Sequence, residues 1–275
     1  MIHFKPITDK EFKKFSTLIF QQCGIFLKAE KKELLNARLG KRLRERGINS
    51  FAAYYDDVVN DASGGELIHL INSVSTNFTS FFREKAHFDY LSSTVLPDFI
   101  KKNRGKRRVS CWSAACSSGE EPYTLSIVLN DFFESHPGWN YSILATDIST
   151  KVLSQARKGV YNMERVSQLP TSVLKNNFRK GTGKCAGFVK VKEHLQRPVT
   201  FQRFNLMEPF PWQNDFHVIF CRNVMIYFNT ETQEQLVKKF YNCLVPGGYL
   251  FIGHSESLAN IDHRFKQVAT TAYQK

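Results

Sequence analysis

Apolar residues in the first 75 positions recur with the spacing of amphipathic helices. Leu35, Leu39 and Leu43 lie four residues apart with Leu34 beside them, which predicts a helix whose apolar stripe faces a core. Gly47 is placed to end that helix. Further helices are predicted at 51–59 and from 66 onward, with a break at 61–65. We therefore expect an all-helical domain over residues 1–75.

From about residue 107, short apolar runs alternate with helical segments. The predicted strands are 109–113, 141–146, 199–204, 217–221 and 249–253, and the predicted helices are 120–133, 149–157 and 231–244. This alternation predicts an α/β fold with a doubly wound, mostly parallel sheet. Glycines flank a short alternating run at 188–192, which predicts a small antiparallel insertion. We expect a second domain over 76–275 that carries this β-subdomain at about 160–198.

The charge of the chain adds an expectation about its partner. With 38 basic and 25 acidic residues the net charge is +13, which favours an acidic partner: nucleic acid, a membrane surface or a carboxylate-rich protein. Residues 28–46 hold eight basic and three acidic side chains, so this helix is itself strongly basic. A second basic cluster at 101–108 is interpreted as a solvated linker.

Other features narrow the class of protein. No apolar run approaches the roughly 20 residues that span a bilayer, and the N-terminus lacks the apolar core of a signal peptide, so we expect a cytoplasmic protein. The six cysteines show no CxxC spacing and no histidine pair beside them. They are interpreted as buried or half-buried thiols, and no metal site is expected.

Two polar features point to a ligand site at the sheet. The first predicted strand runs into a loop of small residues at 113–119, where a ligand can approach the backbone, and a helix follows. Glu120 and Glu121 begin that helix, where acidic residues are also favoured by the helix dipole. Asp147 ends the second strand, where a carboxylate can bind ribose hydroxyls, although a helix cap would also explain it. The GxGxxG spacing of dinucleotide sites is absent, so a cofactor with a ribose but no pyrophosphate, such as S-adenosylmethionine (SAM), is predicted.

Five segments in order along nearly the whole chain resemble a known family. They are TNFTSFFRE at 76–84, WSAACSSGEEPY at 112–123, ATDIS at 145–149, FCRNVMIYF at 220–228 and LVPGGYLFIGHSE at 244–256. They are similar to the motifs of CheR-type chemoreceptor glutamate O-methyltransferases. The resemblance implies a SAM-methyltransferase fold, SAM as cofactor and S-adenosylhomocysteine as product. It also implies receptor adaptation through glutamate 5-O-methyl esters.

The resemblance also implies roles for individual residues. Asn77, Thr79 and Arg83 would line the SAM pocket, Glu121 would meet the cationic end of the cofactor and Asp147 would hold the ribose. The remaining implied residues are Asn205 and Leu206 beside the adenine, Arg222 and Asn223 closing the site, and Tyr227 beside the transferred methyl. Arg83 and Tyr227 are the predicted catalytic residues, the first orienting the substrate carboxylate and the second hydrogen-bonding near the reacting centre. Alternatively, Arg83 pairs with Glu84 at the surface and Tyr227 packs in the core. Cys116 stands where many relatives carry another small residue.

The family resemblance implies an acidic helical bundle of a chemotaxis receptor as the partner. The predicted docking residues are Arg38, Lys41, Arg42, Arg44 and Arg46, although a solvated helix face is the alternative. Because they lie mostly off the leucine stripe, we expect the fold to tolerate reversal of Arg42 and Arg46. The β-subdomain, around 178–195, is expected to hold the receptor's C-terminal peptide by strand addition. We expect a monomer that reaches the membrane only through its receptor.

Two other functions compete with this interpretation. The positive charge suggests a methyltransferase that acts on nucleic acid, but no nucleic-acid module or stacking platform accompanies the charge, so no nucleic-acid partner is expected. An adaptor that binds cofactor and receptor without transfer is disfavoured by the complete set of motif residues.

Overall fold

The computed structural model describes residues 5–75, 77–102 and 107–275. Thr76, the first residue of the first motif and of the expected second domain, lies outside these ranges. So do residues 103–106 of the basic cluster at 101–108.

Four helices form the N-terminal region: α1 (Asp9–Cys23), α2 (Lys32–Arg46), α3 (Phe51–Asn60) and α4 (Gly65–Val74). A capping box between Thr8 and Glu11 starts α1, and Gly47 ends α2 in the left-handed conformation (φ 71°) that glycine adopts without strain. The three leucines of the predicted stripe are buried in the core of this region. Leu34 is 38% exposed, so the expectation that it joins the stripe is wrong.

A second helical segment leads to the main sheet. It consists of α5 (Ala86–Tyr90), a π-helical turn (Leu91–Val95) and α6 (Leu96–Lys102). Phe88, Leu91 and Phe99 are buried in this segment and pack against one face of the sheet. The loop 77–85, which holds the first motif, is thereby brought close to the edge where the parallel strands end.

The main sheet has seven strands in the order β6-β2-β1-β7-β8-β10-β9. Their bounds are β1 (Arg108–Ala114), β2 (Asn140–Asp147), β6 (Val199–Arg203), β7 (Phe216–Cys221), β8 (Leu244–Ile252), β9 (Lys266–Ala269) and β10 (Ala272–Gln274). The five neighbouring strands β6, β2, β1, β7 and β8 pair in parallel, whereas β10 pairs antiparallel with both β8 and β9. The strand order reverses direction between β1 and β7, and such a switch point opens a crevice at the carboxyl ends of the strands. The predicted doubly wound, mostly parallel sheet is confirmed.

Three longer helices also cover the sheet: α7 (Glu120–Glu134), α8 (Thr150–Lys158) and α11 (Thr230–Cys243). Trp112 of β1 is fully buried in an aromatic cluster with Trp212 and Phe240, which fastens the segment after β6 to one face of the sheet. The last predicted helix, 231–244, corresponds to α11, but the predicted strand 249–253 begins earlier in the structure, because β8 starts at Leu244 directly after α11.

The predicted antiparallel insertion is a three-stranded sheet in the order β3-β5-β4. It contains β3 (Val160–Asn162), α9 (Thr171–Asn177), β4 (Phe178–Lys180), β5 (Phe188–Val191) and α10 (Glu193–Gln196). The insertion is attached to the loop after β1, because the Tyr161 hydroxyl donates to Ser118 O (2.8 Å) and the Arg165 guanidinium contacts the buried Glu120 carboxylate. It therefore packs directly beside the crevice.

Within the described ranges, no helix has the length and apolar character needed to cross a bilayer. All six cysteines are free thiols, and five are buried. Cys185 is exposed, which corrects the expectation that every cysteine is buried or half-buried.

Candidate functional site

A cavity of about 1030 Å³, counted with its solvent-open mouth, lies where the parallel strands end. Its walls come from the end of α1, the loop 77–83, the loop after β1, the end of β2, and the segments after β6 and β7. All ten residues that the sequence proposed for the cofactor and the reaction line it: Asn77, Thr79, Arg83, Glu121, Asp147, Asn205, Leu206, Arg222, Asn223 and Tyr227. Residues 150 positions apart in the chain thus meet at the switch point of the sheet.

The backbone around this cavity adopts unusual conformations. Among the described residues, seven that are not glycine have positive φ. Five of them, Phe82, Glu84, Ala115, Ser117 and Asn223, lie in or next to segments that line the cavity. Left-handed backbone costs energy for such residues and persists where surrounding contacts impose it, often at functional sites. The distribution therefore marks this crevice as the functional region.

The loop after β1 closes tightly around a carboxylate. Asp147 accepts hydrogen bonds from Ser117 N to Oδ2 (2.8 Å) and from Ser149 N to Oδ1 (2.9 Å). Burial raises its pKa, although these backbone donors oppose the shift. Ser149, not Asp147, caps α8, so Asp147 is not that helix's cap. Each oxygen keeps acceptor capacity toward the cavity, as binding of ribose hydroxyls requires.

Arg222, in the wall of the cavity, links two acidic residues. Its side chain is 2% exposed and lies 3.2 Å from Glu84 Oε2 and 3.3 Å from Glu121 Oε2. It also donates to Arg83 O and lies over the Phe88 ring (5.3 Å to the centroid). This arginine is committed to holding the site together, because its donors point at protein acceptors.

The pKa values of the two acidic partners of Arg222 are shifted in opposite directions. Burial disfavours ionisation of Glu84, but Arg222, Asn223 and the His254 backbone outweigh it and hold its pKa below the ordinary value. For Glu121, burial raises the pKa, and Arg222 and the Ser113 hydroxyl (2.7 Å) offset this only in part. An approaching cation would favour the ionised form of Glu121. The site therefore suits a ligand with a positive group at this point.

Glu256 is a further buried carboxylate, and it binds backbone donors of the turn after β7. Glu256 accepts hydrogen bonds from Asn223 N (3.0 Å) and Ile226 N (3.3 Å). Asn223, with φ 58°, donates its side-chain amide to Glu84 Oε1 (3.1 Å). Gly253 is needed beside it, because a Cβ there would lie 2.8 Å from Asn223 N. Glu84 and Glu256 were missed as site residues although both stand inside the quoted motifs; periodicity and spacing gave no signal for them.

Arg83 and Tyr227 both line the cavity and are half-buried. Arg83 donates to Phe78 O (3.0 Å), and Glu84 pairs with Arg222 instead, so the alternative of an Arg83–Glu84 pair is not what the structure has. Tyr227 is half-buried, and its carbonyl accepts from Phe26 N (2.8 Å), which joins the segment after α1 to this turn.

The segment after β6 forms another wall. Asn205 donates its amide to Gln22 O (2.6 Å) and accepts from Met207 N (3.1 Å), so its side chain fixes the wall. Leu206 is buried and presents apolar surface, which is suited to an aromatic ring. Leu206 and Asp147 both line the cavity, so it offers apolar surface and a carboxylate acceptor.

Glu84, His87 and His254 form a cluster whose potential ligand atoms lie within 4.8 Å of one another. Glu84 already accepts from Arg222, Asn223 and the His254 backbone, so its oxygens are occupied by protein donors. Burial and the nearby Arg222 lower the pKa of His87 to about 4. The cluster is therefore interpreted as part of the Arg222 network rather than as a metal centre.

The predicted docking residues on α2 are partly engaged within the protein. Arg38 donates to the C-terminal carbonyls of α4, including Ser73 O (3.0 Å) and Val74 O (3.1 Å). Arg42 pairs with Glu66, which is 6% exposed, at 2.5 Å. Arg46 pairs with Asp57 at 3.0 Å.

These pairs bear on one expectation about α2. Reversal of Arg42 and Arg46 would set negative charge against the buried Glu66, so the structure favours a loss of stability over the expected tolerance. Lys41 and Arg44 are exposed.

Comparison with known proteins gives consistent matches along the chain. The family models "CheR methyltransferase, SAM binding domain" and "CheR methyltransferase, all-alpha domain" match residues 77–274 and 10–75. A chemotaxis protein methyltransferase of Escherichia coli (strain K12) is 38% identical over 268 residues, covering 97% of this chain and 91% of that protein. One of Borreliella burgdorferi is 38% identical over 273 residues, covering 98% and 95%. The similarity thus spans both the helical region and the sheet.

Proposed function

Since the chain belongs to the CheR family of chemotaxis protein methyltransferases and uses SAM, we propose that it methylates glutamate side-chain carboxylates of chemotaxis receptors. The product would be a glutamate 5-O-methyl ester. The observation that carries the proposal is one cavity lined by two carboxylates and by an arginine and a tyrosine. The carboxylates are Asp147 and Glu121, and the pKa of Glu121 stays raised although Arg222 is nearby; the other two residues are Arg83 and Tyr227.

The donor set of the cavity fits SAM. Asp147 would hold the ribose hydroxyls, Leu206 with Asn205 would flank the adenine, and Glu121 would face the cationic end. Asn77 and Thr79 would complete the wall, and Arg222 with Asn223 would keep Glu84 and Glu121 in place. When bound, SAM supplies an activated methyl group on a sulfonium.

The residues of the chain then have to align the acceptor. A glutamate carboxylate is ionised at neutral pH and needs no general base. Among the described residues that line the cavity there is no histidine or lysine, which suits such an acceptor. Holding the reacting atoms in line can supply on the order of 7–11 kcal/mol. Arg83 orients the carboxylate, and Tyr227 donates a hydrogen bond near the reacting centre.

The partner proposal rests on charge and on an exposed sheet edge. The basic surface of α2 docks on an acidic helical bundle of the receptor, with Lys41 and Arg44 at its exposed side. Arg38, Arg42 and Arg46 contribute positive electrostatic potential to this surface, although each is already bound to a partner within the protein. The insertion has β3 and β4 as edge strands, and either could accept a receptor peptide by strand addition.

We also propose the domain division 1–75 and 76–275, with the insertion at about 160–198, and a monomeric enzyme. The helical region has its own buried core, and the sheet region has separate cores on its two faces. Each region thus buries apolar surface of its own, as domains do.

The deciding experiment is incubation with tritiated SAM and a receptor-containing membrane fraction. We expect base-labile label on the receptor, which marks a methyl ester. Asp147→Asn should lower the label sharply, and Asp262→Asn, which alters an exposed carboxylate outside the cavity, should keep it. Label on added RNA or DNA, or base-stable label on protein, would refute the proposal.

A further inference from the structure

Exposed apolar side chains are concentrated beside the mouth of the cavity. Among the described residues, seven large hydrophobic side chains are exposed, and three of them are Phe26 (53%), Phe78 (78%) and Ile226 (50%). Phe78 itself lines the cavity, Phe26 follows the lining residue Ile25, and Ile226 precedes Tyr227. Exposed apolar groups that cluster at a functional opening mark an interaction surface.

Backbone contacts hold these three side chains next to the reacting region. Phe26 N donates to Tyr227 O (2.8 Å), so Phe26 lies on a segment bound to the turn that carries Ile226. Ile226 N in turn donates to the buried Glu256 (3.3 Å). The Arg83 guanidinium lies over the Phe78 ring, 5.9 Å from its centroid. Phe78 thus lies beside the proposed carboxylate-orienting arginine, and Phe26 and Ile226 lie beside Tyr227, so apolar surface flanks both predicted catalytic residues.

The chemistry of the proposed reaction requires a substrate chain at this mouth. A glutamate carboxyl carbon is only three bonds from its Cα, roughly 4 Å, so the backbone that bears it must lie close above the opening. On a helix, the residues three and four positions away share the face of the glutamate. Those neighbours would rest against the side chains that surround the opening.

We propose that Phe26, Phe78 and Ile226 form an apolar rim that receives the face of the receptor helix around the target glutamate. The proposal rests on the receptor-methylating function proposed above. The rim selects a glutamate whose neighbours three and four residues away are small or apolar, because charged neighbours would lose solvent there without a partner. The basic surface of α2 supplies attraction over a wider area, and the rim determines which carboxylate enters.

The test compares Ile226→Ser with Val59→Ser. Val59 is 54% exposed, lies on α3 and does not line the cavity, so it matches Ile226 in size and exposure. We expect Ile226→Ser to raise the KM for receptor roughly 10-fold, since apolar burial on binding is lost. The kcat of Ile226→Ser and its affinity for S-adenosylhomocysteine should match those of the wild type. Val59→Ser should have the wild-type KM for receptor. Ile226→Val, which keeps an apolar side chain, should also have the wild-type KM. Phe26→Ser should act in the same direction as Ile226→Ser.

The outcomes separate the rim from the function. A wild type that methylates receptors, with Ile226→Ser and Phe26→Ser at wild-type KM, overturns the rim and leaves the function standing. An equal rise in KM for Val59→Ser also overturns it. A wild type that labels no receptor overturns both proposals. Loss of S-adenosylhomocysteine binding in Ile226→Ser, together with a wild-type KM in Phe26→Ser, would assign Ile226 to the cofactor site and overturn its place in the rim.

Discussion

Glu84 offers the sharpest test of how the cofactor site is held together. Its carboxylate accepts from Arg222 Nε (3.2 Å), Asn223 Nδ2 (3.1 Å) and His254 N (3.2 Å), joining three segments. Glu84→Gln keeps the volume of the side chain but replaces one acceptor oxygen by an NH₂ group. Both oxygens of Glu84 accept from protein donors, so in either orientation the new NH₂ group faces one of those donors. Arg222 also loses a negative partner.

The structure sets the expected magnitude. Removing one partner of a buried ion pair costs about 3–5 kcal/mol, and the Arg222 side chain is 2% exposed. Glu121 remains 3.3 Å from Arg222 as a second negative partner, so the loss of unfolding free energy should be at the lower end of that range, about 3 kcal/mol. Arg222 would then draw Glu121 away from the cofactor's cationic end. We expect affinity for S-adenosylhomocysteine to fall about 10-fold, equivalent to about 1.4 kcal/mol.

Two measurements check this expectation. Urea unfolding gives the stability of the variant, and titration calorimetry gives the affinity for S-adenosylhomocysteine. Glu193→Gln is the matched control, because Glu193 also pairs with an arginine (3.0 Å) but at the surface, where such pairs contribute little. If Glu84→Gln unfolds and binds like the wild type, Glu84 does not hold the site.

Four further outcomes are expected. Asp147→Asn should weaken S-adenosylhomocysteine about 10-fold or more by calorimetry, because a charged acceptor is lost; unchanged affinity would remove Asp147 from the site. Tyr227→Phe should lower turnover in steady-state assays with cofactor affinity preserved, and normal turnover would make it a packing residue. Arg42→Glu should cost about 3–5 kcal/mol in urea unfolding because it opposes buried Glu66, and wild-type stability would contradict this. Burial lowers the pKa of His87 from 6.5 to about 4, so between these pH values only the unfolded chain binds a proton at this residue, and the free energy of unfolding should fall as the pH drops from 6.5 to 4. In urea unfolding at pH 7 and pH 5, His87→Asn should show a smaller fall than the wild type, and an equal fall would refute His87 as the cause.

Local patterns in the sequence were sufficient for the elements and the fold class. The spacing of Leu35, Leu39 and Leu43 reports one helix face, and Gly47 ends that helix where a left-handed residue is needed. The alternation of strands and helices predicts the parallel sheet, and the position of Asp147 at a strand end predicts its place in the wall of the cavity. Such signals are visible in sequence because they depend on residues close together in the chain. The ordered motifs added the family.

Contacts between distant parts of the chain were decided only by the tertiary structure. Glu84 meets Arg222 from 138 positions away, and Arg42 meets Glu66 from 24 positions away. Neither pair has a periodic signature, because the partner of a charged side chain depends on how the elements pack. This is why α2 was expected to carry freely reversible arginines and why Glu84 was missed. The apolar rim arises in the same way, since Phe26 reaches Tyr227 only after the helical region has packed against the sheet.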